Sequence, residues 1–431
     1  MTGPVIDLGE LRHGPDTDPP PRSPRPPRAS GRPARCALVV LLVLATLAAA
    51  TPLPRRSVLT LPGRPSSEAV LAGDLFLLID PIGPRGTQRR LTAYRLPGGA
   101  EVWQAPLPVE GLGWEVTPLA QTVLVTALET DRPGPDRLTV ALDRETGAYR
   151  WQQPGSAAAL ADGSLLLEST DRDQRTSQRA VDLCCGSVRW QLMNVAAEST
   201  VRDTGHGVDR VVLNHVDGPI EVRDAITGRV LARADLSPPG DDVPLTVQVV
   251  NDVLLVFAVD LGTVTAYGLD RLDRRWQVSA ERLDFALDCG PVICFQGPTA
   301  ELRAVDPATG QVRWRSDRWK WVWPYGGRLM ASVSSSTGST MEPLAVVDPL
   351  TGRALADLGR WELVGLGPDG LMVGVHRHPD GGLLVAELDA RAGTVRMLDV
   401  LRDATGECQA DVGRLVCRRV DGSYGLWRLP D

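Results

Sequence analysis

The sequence predicts an all-β fold made of a four-stranded unit repeated about eight times, and three observations predict it. First, one phrase returns along the chain, clearest as LTVALDRETGAYRW (138–151), IEVRDAITGRVLA (220–232), LRAVDPATGQVRW (302–314) and LAVVDPLTGRALA (344–356). Weaker copies end at Trp103, Trp190, Trp276 and Met397. Aligned on Trp103, Trp151, Trp190, Ala232, Trp276, Trp314, Ala356 and Met397, the copies are spaced by 48, 39, 42, 44, 38, 42 and 41 residues. A period of this size belongs to solenoids or propellers. Second, each period holds short alternating or β-branched runs such as VLLVFAV, TVTAYGL and RRWQV, with turn residues between them. Third, no period holds a ten-residue helical stripe. Four short strands per period is the pattern of a β-propeller blade.

The elements of the phrase each have a physical reason. Asp stands eight residues before the anchor in Asp143, Asp182, Asp224, Asp306, Asp348 and Asp389, where a carboxylate accepts turn N–H groups as a strand ends. Gly stands four before it in seven copies, among them Gly147 and Gly310, where a tight hairpin needs positive φ; Leu272 is the exception. The preceding Thr, as in Thr146 and Thr309, bonds back across the turn. The terminal Trp offers a large flat surface to bury between neighbouring sheets, and Ala232 and Ala356 do without it. Repeated once per unit, such residues are architecture rather than catalysis.

The phrase A-x-D-x-x-T-G-x-x-x-W resembles the tryptophan-docking motif of PQQ-like (quinoprotein-like) β-propellers. Asp143, Thr146, Gly147 and Trp151, with Asp306, Thr309, Gly310 and Trp314, are its cleanest matches, and the resemblance covers 66–431. It implies a propeller of eight four-stranded blades, the family's usual number. It also implies either quinoprotein alcohol dehydrogenases, which bind PQQ and calcium, or non-enzymatic members similar to the outer-membrane assembly lipoprotein propeller, which bind proteins. After eight full copies, RLVCRRV (414–420) and YGLWRL (424–429) add two strands around Asp421-Gly422-Ser423. A ring-closing strand in SVLTLP (57–62) would pair with them; a strict strand count then allows nine blades.

Residues 36–53, CALVVLLVLATLAAATPL, carry no charge and span about 27 Å as a helix, which predicts a single transmembrane helix. Five arginines from Arg22 to Arg35 precede it, and Arg55, Arg56 and Arg64 follow, which places the N-terminus in the cytoplasm and the body outside. A cleaved signal peptide ending near Ala48–Ala50 is the competing reading, opposed by an unusually long 35-residue lead. The chain thus divides into a proline- and arginine-rich cytoplasmic tail (1–35), the membrane helix (36–53), a linker (54–65) and the propeller (66–431).

Net charge is −7, with the first 35 residues at +2 and the rest near −9, which argues against a nucleic-acid-binding body. Six cysteines lie beyond the membrane segment, an even number in an exported domain. Short turns near Pro291-Val292 and Val412-Gly413 place Cys289 by Cys294 and Cys408 by Cys417, leaving Cys184 and Cys185 to bond each other or stay thiols. The dehydrogenases also carry a vicinal disulfide, but outside the docking phrase; here the pair falls within it, in VDLCCGSVRW.

No residues are assignable as catalytic, cofactor-binding or metal-binding. His376 and His378 share a strand face without a third ligand, and no hydrolase, P-loop or dinucleotide motif appears. The most distinctive run is WRSDRWKWVWPY, in which Trp319, Trp321, Trp323 and Tyr325 alternate and so share one face of a strand. They either pack between blades or form an aromatic surface for a partner. The expectation is a membrane-anchored extracytoplasmic propeller of the cell envelope that binds or scaffolds proteins, without catalysis, cofactor or nucleic acid. The rivals are a PQQ- and calcium-dependent oxidoreductase and a cell-wall glycan binder.

Overall fold

A computed structural model describes residues 59–430 apart from 83–87, 109–112, 129–136, 174, 217, 238–243, 280–284, 298–300, 334–341 and 412. The tail, the segment 36–53 and the linker up to residue 58 lie outside the described residues. Among the described residues no helix is long and apolar enough to cross a membrane. Residues Ser57–Asp431 form one compact unit. It is all-β: the described elements are strands and a single 3-10 turn, Val259–Leu261.

Successive strands pair antiparallel through short turns, which builds six separate four-stranded sheets spanning Glu68–Pro106, Trp114–Pro154, Ser156–Val195, Ala197–Ala234, Leu245–Ser279 and Phe285–Ser316. The remaining strands join into one eleven-stranded sheet. In it, Trp321–Tyr325, Arg328–Ser332 and Glu342–Val347 pair in order up to the first half of Ala354–Leu366. The second half of that thirteen-residue strand pairs with Met372–Arg377, which leads to Leu383–Asp389 and Thr394–Leu401. Finally Ala404–Asp411, Arg414–Arg419 and Tyr424–Arg428 pair in turn, and Leu59–Leu61 lies beside Tyr424–Leu426 as the fourth strand. One parallel step, Gly365 to Ala410, ties the last two groups. The approach is so close that a side chain on Gly365 would meet the backbone of Ala410.

Buried second strands explain the composition: Thr122–Ala127 and Val253–Ala258 are buried at every position, as continuous apolar runs require. The apolar clusters lie between sheets rather than within one. Val123, Val125, Val140 and Leu142 of the second sheet pack on Leu75, Leu77, Leu91 and Trp103 of the first. The strand ends therefore sort into two ends of the molecule. One end collects the turns between first and second and between third and fourth strands; the other collects the turns between second and third strands and the links from sheet to sheet.

Candidate functional site

The repeated phrase forms the turn between third and fourth strands. Asp143 Oδ1 accepts from the N–H of Glu145 (3.0 Å) and Thr146 (2.9 Å) and from the Thr146 hydroxyl (2.8 Å), while Arg150 holds its other oxygen at 2.6 Å. Arg150 and Thr146 together draw the Asp143 carboxyl down to about 2. Asp224, Asp306 and Asp348 repeat the pattern with Thr227, Thr309 and Thr351.

Each turn is the seat for the preceding sheet's anchor. Trp103 donates its indole N–H to Arg144 O (2.9 Å), Trp151 to Leu183 O (3.0 Å), Trp190 to Ala225 O (3.0 Å), Trp276 to Pro307 O (2.8 Å) and Trp314 to Pro349 O (2.9 Å). The ring lies flat on the turn glycine: a Cβ on Gly310, at φ +70°, would sit 2.7 Å from the Trp276 indole. Trp103, Trp151, Trp276 and Trp314 are buried, and Trp190 is half-buried. Where the receiving residue is Leu272 instead of glycine, the residue at the anchor position is Ala232, and both join one apolar cluster. Met397 has no following turn to meet, because the last group takes its fourth strand, Leu59–Leu61, from the other end of the chain. Leu59 instead covers Gly99.

That closure uses side chains that cap the unpaired edge of the strand Glu68–Ala72. The Gln409 amide accepts from Leu71 N–H (2.7 Å) and donates to Ala69 O (2.7 Å). Asp411 accepts from Gly73 N–H (2.9 Å), and Arg414 donates to Gly73 O (2.6 Å). The buried Arg418 guanidinium donates to Ser67 O (2.6 Å), Arg64 O (2.7 Å), the Tyr424 hydroxyl (2.6 Å) and Glu407 (2.6 Å). Burial pushes the Tyr424 phenol up to about 12.

Trp321, Trp323 and Tyr325 alternate along the strand Trp321–Tyr325 as expected, but Trp319 does not join them. Ser316 Oγ accepts from the N–H of Arg318 (3.2 Å) and Trp319 (3.3 Å), a turn that interrupts the extended chain before the strand opens at Trp321. Trp319 is consequently buried with Trp314, Val322 and the Cys289–Cys294 pair, under the Arg318 guanidinium at 4.3 Å. Trp323 and Tyr325 pack on Met330, Leu344 and Trp361. Trp321 meets the Phe285 ring at 6.1 Å, each half-buried and each opening the first strand of its sheet.

The six cysteines pair as Cys184–Cys185, Cys289–Cys294 and Cys408–Cys417. The Cys289 hairpin turns through Gly290-Pro291, with Cys289 N–H on Val292 O. His376 is occupied by Arg360 O (2.8 Å) and lies edge-on to Trp361, while His378 accepts from Asp380 N–H (3.1 Å). His206 and His215 lie on other elements, and His13 is outside the described residues. Among the described residues no three of His, Cys, Asp and Glu come together as metal ligands.

The two ends of the molecule differ in chemistry. The end with the docking turns is laced by ion pairs that cross between sheets, Arg144 to Asp74 (2.8 Å), Arg95 to Glu145 (2.6 Å) and Arg210 to Asp270 (3.0 Å). Arg144, then Arg95, hold the Asp74 carboxyl below its ordinary range against the opposing effect of burial. At the other end the first residue after the second strand is an exposed apolar one in Leu128, Val216, Val259, Val333 and Val420. Val216 at 73% and Val259 at 65% exposure stand on neighbouring sheets, with Leu261 beside Val259. The sequence reading missed these residues; their signal was an apolar residue within a polar turn, at the same place in several repeats.

Sheets seated on one another through Trp, Gly and Asp define a β-propeller of the PQQ-like, tryptophan-docking class. Residues 87–316, more than half the chain, match the family of the outer membrane protein assembly factor BamB, and the chain belongs to that family. Among solved structures it is similar to BamB from Moraxella catarrhalis, at 14% identity over 86% of this chain and 96% of that one, with a TM-score of 0.42. It is also similar to a eukaryotic initiation factor, at 13% identity over 81% of this chain and 90% of that one, with a TM-score of 0.50. The computationally designed Ika8 protein is 17% identical over 73% of this chain and 95% of its own, with a TM-score of 0.45. At such identities the likeness is one of fold. No curated protein matches the sequence.

Proposed function

We propose that this chain is a membrane-anchored, extracytoplasmic protein-binding propeller of the cell envelope, without catalysis, whose partner sits on the end formed by the turns between second and third strands. The observation that carries the reading is the set of exposed apolar residues there, Val216, Val259 and Leu261 foremost. Apolar side chains left exposed at one recurring turn position, two of them on neighbouring sheets, offer a surface for another protein, although the docking-turn end also exposes Tyr149 and Leu350. The half-buried Phe285–Trp321 pair opens at the same end and supplies aromatic contact area. Membership of an assembly-factor family and the uncharged run 36–53 accord with it. In this reading the ring has nine blades: the six separate sheets, two groups sharing the long strand Ala354–Leu366, and a ninth closed by Leu59–Leu61. The expected eight copies omit the ninth because it lacks the docking phrase.

A photocrosslinking residue placed at Val259 tests the surface, with one at Leu350, exposed on the opposite end, as control. In intact cells Val259 is expected to give a discrete higher-mass adduct that Leu350 does not, and Val216→Asp with Leu261→Asp to abolish it without moving the melting curve. Equal labelling from both ends, or none from Val259, sinks the assignment. Saturable calcium-dependent quenching of tryptophan fluorescence by PQQ would instead establish the oxidoreductase.

A further inference from the structure

The three disulfides differ in what can reach them. Cys289, Cys294 and Cys417 are fully buried and Cys408 is 8% exposed, whereas Cys184 and Cys185 are both exposed in the turn of the third sheet. Exchange requires a thiolate to approach a sulfur, so of the three bonds only Cys184–Cys185 is open to a reductant in the folded chain.

The position of the pair gives the exchange a structural consequence. In three sister turns the residue before the glycine is a threonine whose hydroxyl bonds the turn aspartate, at 2.8 Å for Thr146, 2.7 Å for Thr227 and 3.0 Å for Thr351. Cys185 stands in that place, and Asp182 accepts instead from the Ser187 hydroxyl (2.6 Å) and Arg189 (2.7 Å). Ser187 and Arg189 thus brace the aspartate across the turn, and the sulfur–sulfur bond fixes the Cys184–Cys185 peptide at its tip. The residues on either side of the pair are the seat of the second sheet's anchor: Trp151 donates to Leu183 O (3.0 Å) and lies on Gly186, whose carbonyl accepts from Gln153 (3.0 Å).

We propose that Cys184–Cys185 is a thiol-exchange site whose oxidised form holds the seat of Trp151 and whose reduction by a dithiol loosens it. A reductant thiolate attacks one sulfur, forming a mixed disulfide and releasing the other cysteine as thiolate, which takes up a proton. The second reductant thiol then displaces the mixed disulfide. Two electrons pass to the cysteines, which end as two thiols, and the reductant ends as its own disulfide.

The test is a dithiothreitol titration of the folded full chain, with alkylated cysteines mapped by mass spectrometry and tryptophan emission followed in parallel. Of the three bonded pairs, Cys184 and Cys185 are expected to be labelled first, together, with an emission shift at the same midpoint that Trp151→Phe removes. Cys184→Ala with Cys185→Thr, which restores the sister-turn hydroxyl, is expected to fold with an unchanged melting curve and to give no shift. Labelling of the pair before any reductant is added, or opening of the other two bonds at the same concentration, overturns the site. Labelling of the pair without an emission shift overturns its coupling to Trp151.

Discussion

At the scale of single residues, the turn aspartate does more than end a strand. Its carboxylate gathers two backbone N–H groups and a hydroxyl on one oxygen and an arginine on the other, which is why Asp143 titrates near 2. A depressed folded-state pKa adds stability that is fully present above the unfolded value of about 4 and is lost as pH falls through the folded one. Asp143→Asn is therefore expected to lower the urea midpoint by an amount that is constant above pH ~5 and shrinks as pH approaches ~2. A deficit of the same size at both pH values would show that the carboxylate's charge is not what the turn uses. Asp143, Thr146, Gly147 and Trp151 were legible in the sequence because a contact made once per repeat leaves a periodic signature. Trp319 was not, because one hydrogen-bonding serine, Ser316, interrupts the alternation that a strand would impose.

At the scale of elements, five fourth strands, those of Trp103, Trp151, Trp190, Trp276 and Trp314, are held to the next sheet by one large side chain and one turn residue that accepts it. The pair Ala232 and Leu272 reverses the roles, moving the volume from the strand to the turn while the seam stays filled. The two departures from the phrase were visible separately in the sequence; only the packing shows that they are one compensated exchange. Leu272→Gly is expected to open a cavity, at about 2–5 kcal/mol for removing a buried leucine, offset by about 1 kcal/mol as glycine relieves the positive φ of 56° at this position. Adding Ala232→Trp is expected to recover most of that loss. Guanidinium denaturation of the three variants checks it: if the double variant is no more stable than Leu272→Gly alone, the seam does not work by exchange of volume.

At the scale of the whole molecule, the ring is closed by strands from opposite ends of the compact unit, Leu59–Leu61 and Tyr424–Arg428. Three paired residues are a short join, and the seam is reinforced by Gln409, Asp411, Arg414 and Arg418 reaching the strand edge from Ser67 to Gly73. Removing the Arg418 guanidinium leaves several buried acceptors without a donor, and Arg418→Met is expected to cost about 3 kcal/mol. Hydrogen exchange is expected to show lost protection in Tyr424–Arg428 and Glu68–Ala72, with Val253–Ala258 on the distant fifth sheet unchanged. Uniform loss across all sheets would mean that the seam is not a local latch.

By itself the sequence determined the all-β repeat, its period, the docking phrase and the pairing of Cys289 with Cys294 and Cys408 with Cys417, because each rests on contacts between residues close in the chain or repeated at fixed intervals. Tertiary structure alone decided which way Trp319 faces, that Ala232 answers Leu272, and that ion pairs between neighbouring sheets gather at the docking-turn end while Val216 and Val259 stand exposed at the other. Those features depend on neighbours that a repeat brings together only once the sheets are stacked, and a non-periodic contact leaves no mark in the spacing of residues.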